Sequence, residues 1–240
     1  MEMQEFLDQL EQTIFRYDLL QHPFYQAWSR GELALEDLRE YARDYYHQVE
    51  SFPGYLLRFA ARLERGDPRA AVLANLRDEV GGSTRRSHSD LWLDFVEGMG
   101  AERPLAGHKP SSQIFDLVLF FEQMAKQGSR EEVLAASMPT NRKCRECRGK
   151  NGEDLLRNTG ASERTCGYFV LHTTADVYDS RVWLRPARKT SPGSSRKKLR
   201  GAQGRRSRGS RSLASTRWDR SSILRETQAG RPFRYTRRKQ

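Results

Sequence analysis

The chain has few cysteines and no long apolar segment. Three cysteines in 240 residues are too few for a disulfide framework. No apolar run approaches the roughly 18 residues that a membrane span requires. The N-terminal stretch MEMQEFLDQLEQ is acidic and amphipathic, which is not the pattern of a signal peptide. These absences exclude a disulfide-stapled secreted domain and an integral membrane protein, and they predict a cytoplasmic protein without a membrane partner.

Positive charge is scarce in most of the chain, although the net charge is +11. Residues 184–240 hold 19 of the 42 lysines and arginines but only 2 of the 31 acidic residues. Residues 1–183 are therefore mildly acidic. This distribution predicts one domain over residues 1–183 and a basic low-complexity tail over residues 184–240. Such a tail would bind nucleic acid only non-specifically, through phosphate contacts.

The sequence also lacks internal repeats and the alternating apolar pattern of β-strands. Residues 3–136 instead carry apolar side chains at helical spacing almost throughout. Asp67 as N-cap and Pro68 after it have the pattern of a helix start, and Pro53 is expected to kink the long helix around it. Residues 165–183 form another apolar helical segment. The sequence predicts an all-α bundle.

Two groups of polar residues could bind a metal inside such a bundle. His172, Asp176 and Asp179 follow one another at i, i+4 and i+7, which places them on one helix face. Glu79 ends one predicted helix and His88 opens the next. Inward histidines and carboxylates are how helical bundles build di-iron sites. Each group could equally be a surface or capping pair, and spacing alone leaves both interpretations open.

A zinc site is the other metal interpretation. Cys144 and Cys147 form a C-x-x-C, and Cys166 and His172 could complete four ligands. This pattern is weak, because His172 lies inside a helix and faces other partners.

Four separated motifs resemble one known family in their order: LLQHPFYQAWSRGEL, YARDYYHQVESFPGYLLR, NLRDE with SHSDLWLDFVEGMG, and YFVLHTTADVYDS. It is the PqqC/TenA-like group with the haem-oxygenase fold, in the branch of the chlamydial protein associating with death domains. The resemblance covers about residues 4–136 and 162–183. It implies a seven-helix bundle with a non-haem di-iron centre and a role in folate metabolism. Members form para-aminobenzoate by cleaving one of their own tyrosines, with an internal lysine donating the amino group.

The resemblance also implies roles for individual residues. The positions that match iron ligands are Glu79, His88, His172 and Asp176. Asp179 stands where the family usually has a histidine ligand, and the loop from Glu79 to His88 is about two residues longer than usual. Tyr25 matches the sacrificed tyrosine and Tyr41 a second pocket tyrosine, although core packing is the other interpretation of both.

The cofactor implied by the resemblance is two iron ions. The implied partners are dioxygen and a reductant, with no separate small-molecule substrate because the tyrosine is consumed. The sequence leaves the oligomeric state open, with a homodimer as one candidate.

Residues 137–161 depart from this family. There the family has a helix with Tyr-Glu-Ser-Gln, then Pro, Lys and Gly-Leu, which supplies an iron-binding Glu and the amine-donating Lys. Neither motif occurs in MPTNRKCRECRGKNGEDLLRNTG. Read one nucleotide out of frame, the codons of residues 137–160 can encode this helix in the family's order and spacing. We therefore interpret residues 137–161 as out of frame and, on a looser match, residues 184–240 as well.

This interpretation has structural consequences. The C-x-x-C becomes an accident of frame, and the bundle becomes incomplete. Residues 137–160 are then expected to be poorly ordered, and the apolar faces around Trp92, Phe120 and Phe169 are expected to be exposed.

Two other functions remain open on the sequence alone. One is a cofactor-free oxidase of quinone cofactor biosynthesis, which resembles PqqC, and the other is a catalytically inactive binding protein of the same fold. A thiaminase is disfavoured, because it needs a nucleophilic core cysteine, and none of the three cysteines lies in a motif that supplies one.

Overall fold

The computed structural model describes residues 22–103, 107–130, 132–133 and 151–172. Helices form the regular structure of these residues, and none of them belongs to a β-strand. The helices are α1 (Pro23–Arg30), α2 (Leu35–Arg62), α3 (Asp67–Val80), α4 (His88–Gly98), α5 (Ser112–Gln127), and the described parts of α6 (residues 151–159) and α7 (residues 163–172), with further helical residues at 130 and 132–133. The predicted all-α class is confirmed.

Local signals explain where the helices begin and end. The Nδ1 atom of His22 accepts a hydrogen bond from the backbone N–H of Phe24 and caps α1. The hydroxyl of Ser87 accepts from the backbone N–H of Asp90 and caps α4. Gly31 ends α1 at a φ of +69°, a conformation that glycine adopts without strain. Asp67 is the first residue of α3 rather than its N-cap, which is Gly66.

The long helix α2 is the centre of the described bundle. It packs against α3, α4 and α5. It runs from Leu35 to Arg62 without interruption, although Pro53 lies inside it. Because α2 contacts three neighbours, its inward side chains line the interior of the bundle.

The largest apolar cluster is rich in aromatic rings and joins α1, α2, α4 and α7. Trp92 and Phe169 are 1% and 2% exposed. The expectation that the faces around these two residues would be exposed is therefore wrong, because α4 and α7 bury them against each other and against Trp28 of α1. Phe120 on α5 is half-buried.

Helix α6 lies within the segment that was expected to be poorly ordered. Leu155 is fully buried, and the Asp154 carboxylate, 1% exposed, accepts a hydrogen bond of 2.8 Å from Ser29 on α1. For residues 151–160 the expectation of poor order is wrong, because one leucine and one hydrogen-bonded carboxylate dock this short helix on the core. Residues 134–150 and 173–240, with the predicted boundary at 183, lie outside the described residues.

None of the helices in the described part of the chain combines the length and the apolar character needed to cross a membrane.

Candidate metal centre

Three side chains from three helices converge in the interior. Glu79 lies in the last turn of α3, His88 is the first residue of α4, and His172 ends the described part of α7. One potential ligand atom from each residue lies within 4.8 Å of the other two. The three residues are 5–9% exposed. Three of the sequence-predicted ligands are thus brought together in a buried place.

The loop between α3 and α4 brings Glu79 and His88 together. Gly81 turns the chain out of α3 at a φ of +69°. The backbone N–H of Gly82 donates to the carbonyl of Arg85 at 2.8 Å and closes the turn. Ser87 then caps α4, so that His88 begins the helix beside the end of α3. The longer loop therefore does not separate the two ligands.

The Glu79 and His88 side chains are close without forming a hydrogen bond. The Oε2 atom of Glu79 lies 2.7 Å from Nδ1 of His88. Yet the direction of approach is unsuitable, and Nδ1 has no hydrogen-bond partner among the described residues. The carboxylate oxygen and the imidazole nitrogen are buried and close together but are not hydrogen-bonded to each other. Two ligand atoms of one cation would be arranged in the same way. This orphaned nitrogen is the observation that fits a metal.

His172 is oriented by its own helix. Its Nδ1 lies 2.7 Å from the backbone carbonyl of Tyr168, one turn earlier. The carbonyl can only accept, so Nδ1 carries the hydrogen and Nε2 carries the lone pair. Metal-binding histidines are commonly oriented in this way. One carboxylate and two imidazoles form a donor set that suits iron and other divalent transition metals.

Aromatic rings connect this cluster to Tyr41. The ring of Tyr168 lies 4.1 Å from His172 and 4.6 Å from Trp92, measured between centroids. Trp92 in turn lies 5.8 Å from Tyr41. The structure therefore places Tyr41 two rings away from the ligand His172. Tyr25 lies on α1, where its ring makes edge contacts with the rings of Phe24 and His22.

The other sequence-predicted iron ligands, Asp176 and Asp179, lie outside the described residues. Two of the candidate zinc ligands, Cys144 and Cys147, also lie outside them. Cys166 is fully buried on α7, and burial raises the pKa of its thiol to about 11. It is therefore a neutral thiol at physiological pH, whereas zinc binds the thiolate.

An ion cluster that no sequence pattern predicted surrounds one buried carboxylate on α4. The carboxylate of Asp94, 1% exposed, accepts hydrogen bonds from Arg86, Arg103 and Arg164. Burial acts to raise the pKa of Asp94, but the hydrogen bonds from Arg86 and Arg164 outweigh it and lower this pKa to about 2. The three arginines are far apart in the sequence, so no local motif could have identified the cluster.

Comparisons with known proteins show the family to which the chain belongs. The family described as iron-containing redox enzyme matches residues 39–207. A 4-aminobenzoate synthase from Chlamydia muridarum is 34% identical over 178 residues, which cover 73% of this chain and 75% of the relative. Another 4-aminobenzoate synthase, from Nitrosomonas europaea, is 30% identical and is covered to 76%.

A solved structure shows the same fold at low sequence identity. It is a domain with a haem oxygenase-like fold from Shewanella denitrificans, which superposes with a TM-score of 0.73 at 12% identity and covers 98% of this chain and 99% of its own. The fold predicted from the sequence is thus confirmed. The chain belongs to the family of iron-containing redox enzymes with a haem oxygenase-like fold, and by that membership it is an oxidoreductase.

Proposed function

We propose that this protein is an oxygenase-type iron enzyme of 4-aminobenzoate formation. The observation that carries the proposal is the buried Glu79–His88–His172 cluster, in which the Nδ1 atom of His88 makes no hydrogen bond. The names of the relatives from Chlamydia muridarum and Nitrosomonas europaea support the choice of product. The carboxylate in the cluster disfavours a cofactor-free oxidase, which would bind a quinone precursor with His, Arg and Lys.

Glu79, His88 and His172 would hold the iron. Iron bound there supplies the activation of dioxygen and the withdrawal of electrons from an aromatic side chain. The Glu79 carboxylate offsets part of the positive charge of the ion, and the Tyr168 carbonyl keeps the lone pair of His172 on Nε2. Asp176 and Asp179 are proposed to complete the ligand set and to provide for a second iron, because they follow His172 by four and seven residues.

Tyr25 is proposed as the tyrosine that is oxidised, and Tyr41 as a tyrosine that supports this step. An electron that leaves Tyr41 would cross only ring contacts, through Trp92 and Tyr168, to reach His172. The two intermediate rings, Trp92 and Tyr168, are buried in the aromatic cluster, and Tyr41 packs against it partly buried. Burial of the intermediate rings limits side reactions with solvent along the route. Beside dioxygen, a reductant is the other co-reactant that this proposal requires.

The chain as translated lacks the lysine that would donate the amino group. The family lysine and one family glutamate belong to the helix that residues 137–161 replace. We therefore expect the translated chain to bind iron, and we expect a frame-corrected chain to form 4-aminobenzoate. Resequencing the gene across codons 130–190 tests the frame itself: an unchanged frame in a clean read would contradict our interpretation of residues 137–161.

The experiment loads the translated and frame-corrected chains with Fe(II) without oxygen and then admits dioxygen. We expect iron to bind to both chains and 4-aminobenzoate to form from the corrected chain, with modification of Tyr25 detected by peptide mass spectrometry. Tyr25→Phe should bind iron and give no product. Tyr46→Phe is the matched control, because Tyr46 bonds Glu50 at the surface. Product from Tyr25→Phe, or unchanged iron binding after His88→Ala, would contradict the proposal.

A further inference from the structure

Helices α4 and α7 run antiparallel, and a series of contacts joins them along the described part of α7. His88 and His172, at one end of the pair, have ring centroids 4.7 Å apart. The contacts that follow along the two helices are Trp92 with Tyr168, Leu91 with Gly167, Asp94 with Arg164, and Gly98 with Thr165. From one end of the pair to the other, the contacting residues of α7 go from 172 to 164–165 as those of α4 go from 88 to 98. The far end of the pair is therefore linked to the two histidines by this series of contacts.

The contact at the far end requires a glycine. A Cβ atom on Gly98 would lie 2.2 Å from Cγ2 and 2.4 Å from Oγ1 of Thr165. Real Cβ atoms do not approach other atoms so closely, so any side chain at this position would push α7 away from α4. The backbone of α4 is in this way held directly against the side chain of Thr165.

An ion pair on a buried carboxylate holds the middle of the same interface, because the Asp94 side chain is 1% exposed although that of Arg164 is 65% exposed. The guanidinium of Arg164 donates to Asp94 at 2.8 Å and to Glu97 at 3.2 Å. Arg86 binds the same Asp94 carboxylate, and Arg86 lies two residues before His88. Asp94 therefore connects the start of α7 with the loop that delivers His88.

We propose that Asp94 and Gly98 are positioning residues, which set the register of α4 against α7 and thereby hold His88 and His172 at metal-binding separation. This inference rests on the metal site of the proposed function. A slip of one helical turn moves a residue by about 5.4 Å. Such a slip exceeds the 4.8 Å within which the ligand atoms of Glu79, His88 and His172 now lie, so it would dismantle the site.

Loss of Asp94 would act on both histidines at once. Without the carboxylate, the guanidiniums of Arg86, Arg103 and Arg164 would face one another with less negative charge to offset theirs, from Glu97 and Asp90. Their repulsion would push the α3–α4 loop away from the start of α7. Neither ligand is changed chemically, so the effect would appear as weaker metal binding.

The experiment measures metal affinity in full-length variants by calorimetry, with Co²⁺ and with Fe(II) under anaerobic conditions. We expect Asp94→Asn to weaken binding by about tenfold or more, as loss of a residue that orients ligands commonly does. Gly98→Ala should weaken binding as well, and Arg164→Gln should have a smaller effect because Arg86 and Arg103 remain. The visible Co²⁺ spectrum should change in the same variants.

Arg157→Gln is the matched control. Arg157 and Arg164 are both 65% exposed in their side chains, and each pairs with an aspartate that is 1% exposed, but Arg157 binds Asp154 on α6. The Arg157→Gln substitution should leave metal affinity unchanged. Folding of every variant is checked by circular dichroism, and Arg164→Gln decides the question if Asp94→Asn does not fold.

The possible failures can be told apart. If the wild-type chain binds no metal, the proposed function fails. If the wild-type chain binds metal and both Arg164→Gln and Gly98→Ala bind it equally well, the positioning role is overturned. An equal loss of affinity in Arg157→Gln would also overturn it, because any broken ion pair would then have the same effect.

Discussion

At the scale of single residues, the candidate site depends on a glycine that binds nothing. Gly81 follows the ligand Glu79 by two residues and has a φ of +69°. A Cβ atom there would lie 2.6 Å from the carbonyl oxygen of Arg85 and 2.7 Å from the backbone nitrogen of Ser87. Both atoms belong to the backbone and cannot rotate away. The path of the chain from Glu79 to His88 therefore requires glycine at this position.

Gly81→Ala is expected to destabilise the protein by about 1–3 kcal/mol, because the left-handed conformation and the close backbone contacts both oppose a side chain. Metal affinity should fall with it, since the loop positions His88. Gly82→Ala is the control, because a Cβ at Gly82 meets nothing within 4 Å. Thermal unfolding and metal titration of both variants test this, and equal behaviour of the two would contradict the role given to Gly81.

At the scale of helices, one apolar and two polar contacts of α6 show how this helix is held on the bundle. Leu155 is fully buried, whereas its neighbour Leu156 is 41% exposed. The side-chain amide of Asn158 donates to the backbone carbonyl of Trp28, and Asp154 binds Ser29, so both polar contacts reach α1. The nine described residues of α6 are too few to be stable as an isolated helix. Its stability must come from these contacts with the core.

The two adjacent leucines of α6 provide the corresponding test. Leu155→Ala should lower the free energy of unfolding by about 2–5 kcal/mol, because it leaves a cavity in the core. Leu156→Ala should cost much less, since Leu156 is already partly in water. Urea unfolding of the two variants measures the difference, and similar small losses from both would show that α6 does not pack on the bundle.

At the scale of the whole molecule, charge is separated along the chain. Residues 1–183 are mildly acidic, and residues 184–240 hold almost half of the lysines and arginines. The family match ends at residue 207, so it covers only part of the basic segment. The binding of an anionic partner should therefore require residues 184–240.

Removal of residues 184–240 is expected to abolish binding to random-sequence DNA. The full chain should bind such DNA weakly, with an affinity that falls steeply as salt increases, because phosphate contacts release counterions. Filter binding at several salt concentrations tests this. The midpoint of thermal unfolding should change little. A loss of several degrees would show that this segment is part of the fold, and its interpretation as out of frame would have to be abandoned.

Much of the fold was determined by the sequence, because helix formation leaves local signals. The spacing of apolar residues predicts the helices, and Ser87 and Gly31 mark helix ends by capping rules that involve a few neighbouring residues. Glu79, His88 and His172 could be chosen as ligands because the motifs around them resemble a family. Their types and positions are properties of the chain alone.

The tertiary structure decided what depends on distance between separated segments. No pattern in the sequence joins Arg164 to Arg86 and Asp94, since Arg164 reaches Asp94 only when α7 packs on α4. The burial of Trp92 and Leu155 also went against expectation, because burial depends on which neighbours cover a side chain. The sequence determined which groups could bind a metal. Packing decided which of them meet, because ligand geometry depends on the register of helices that lie far apart in the chain.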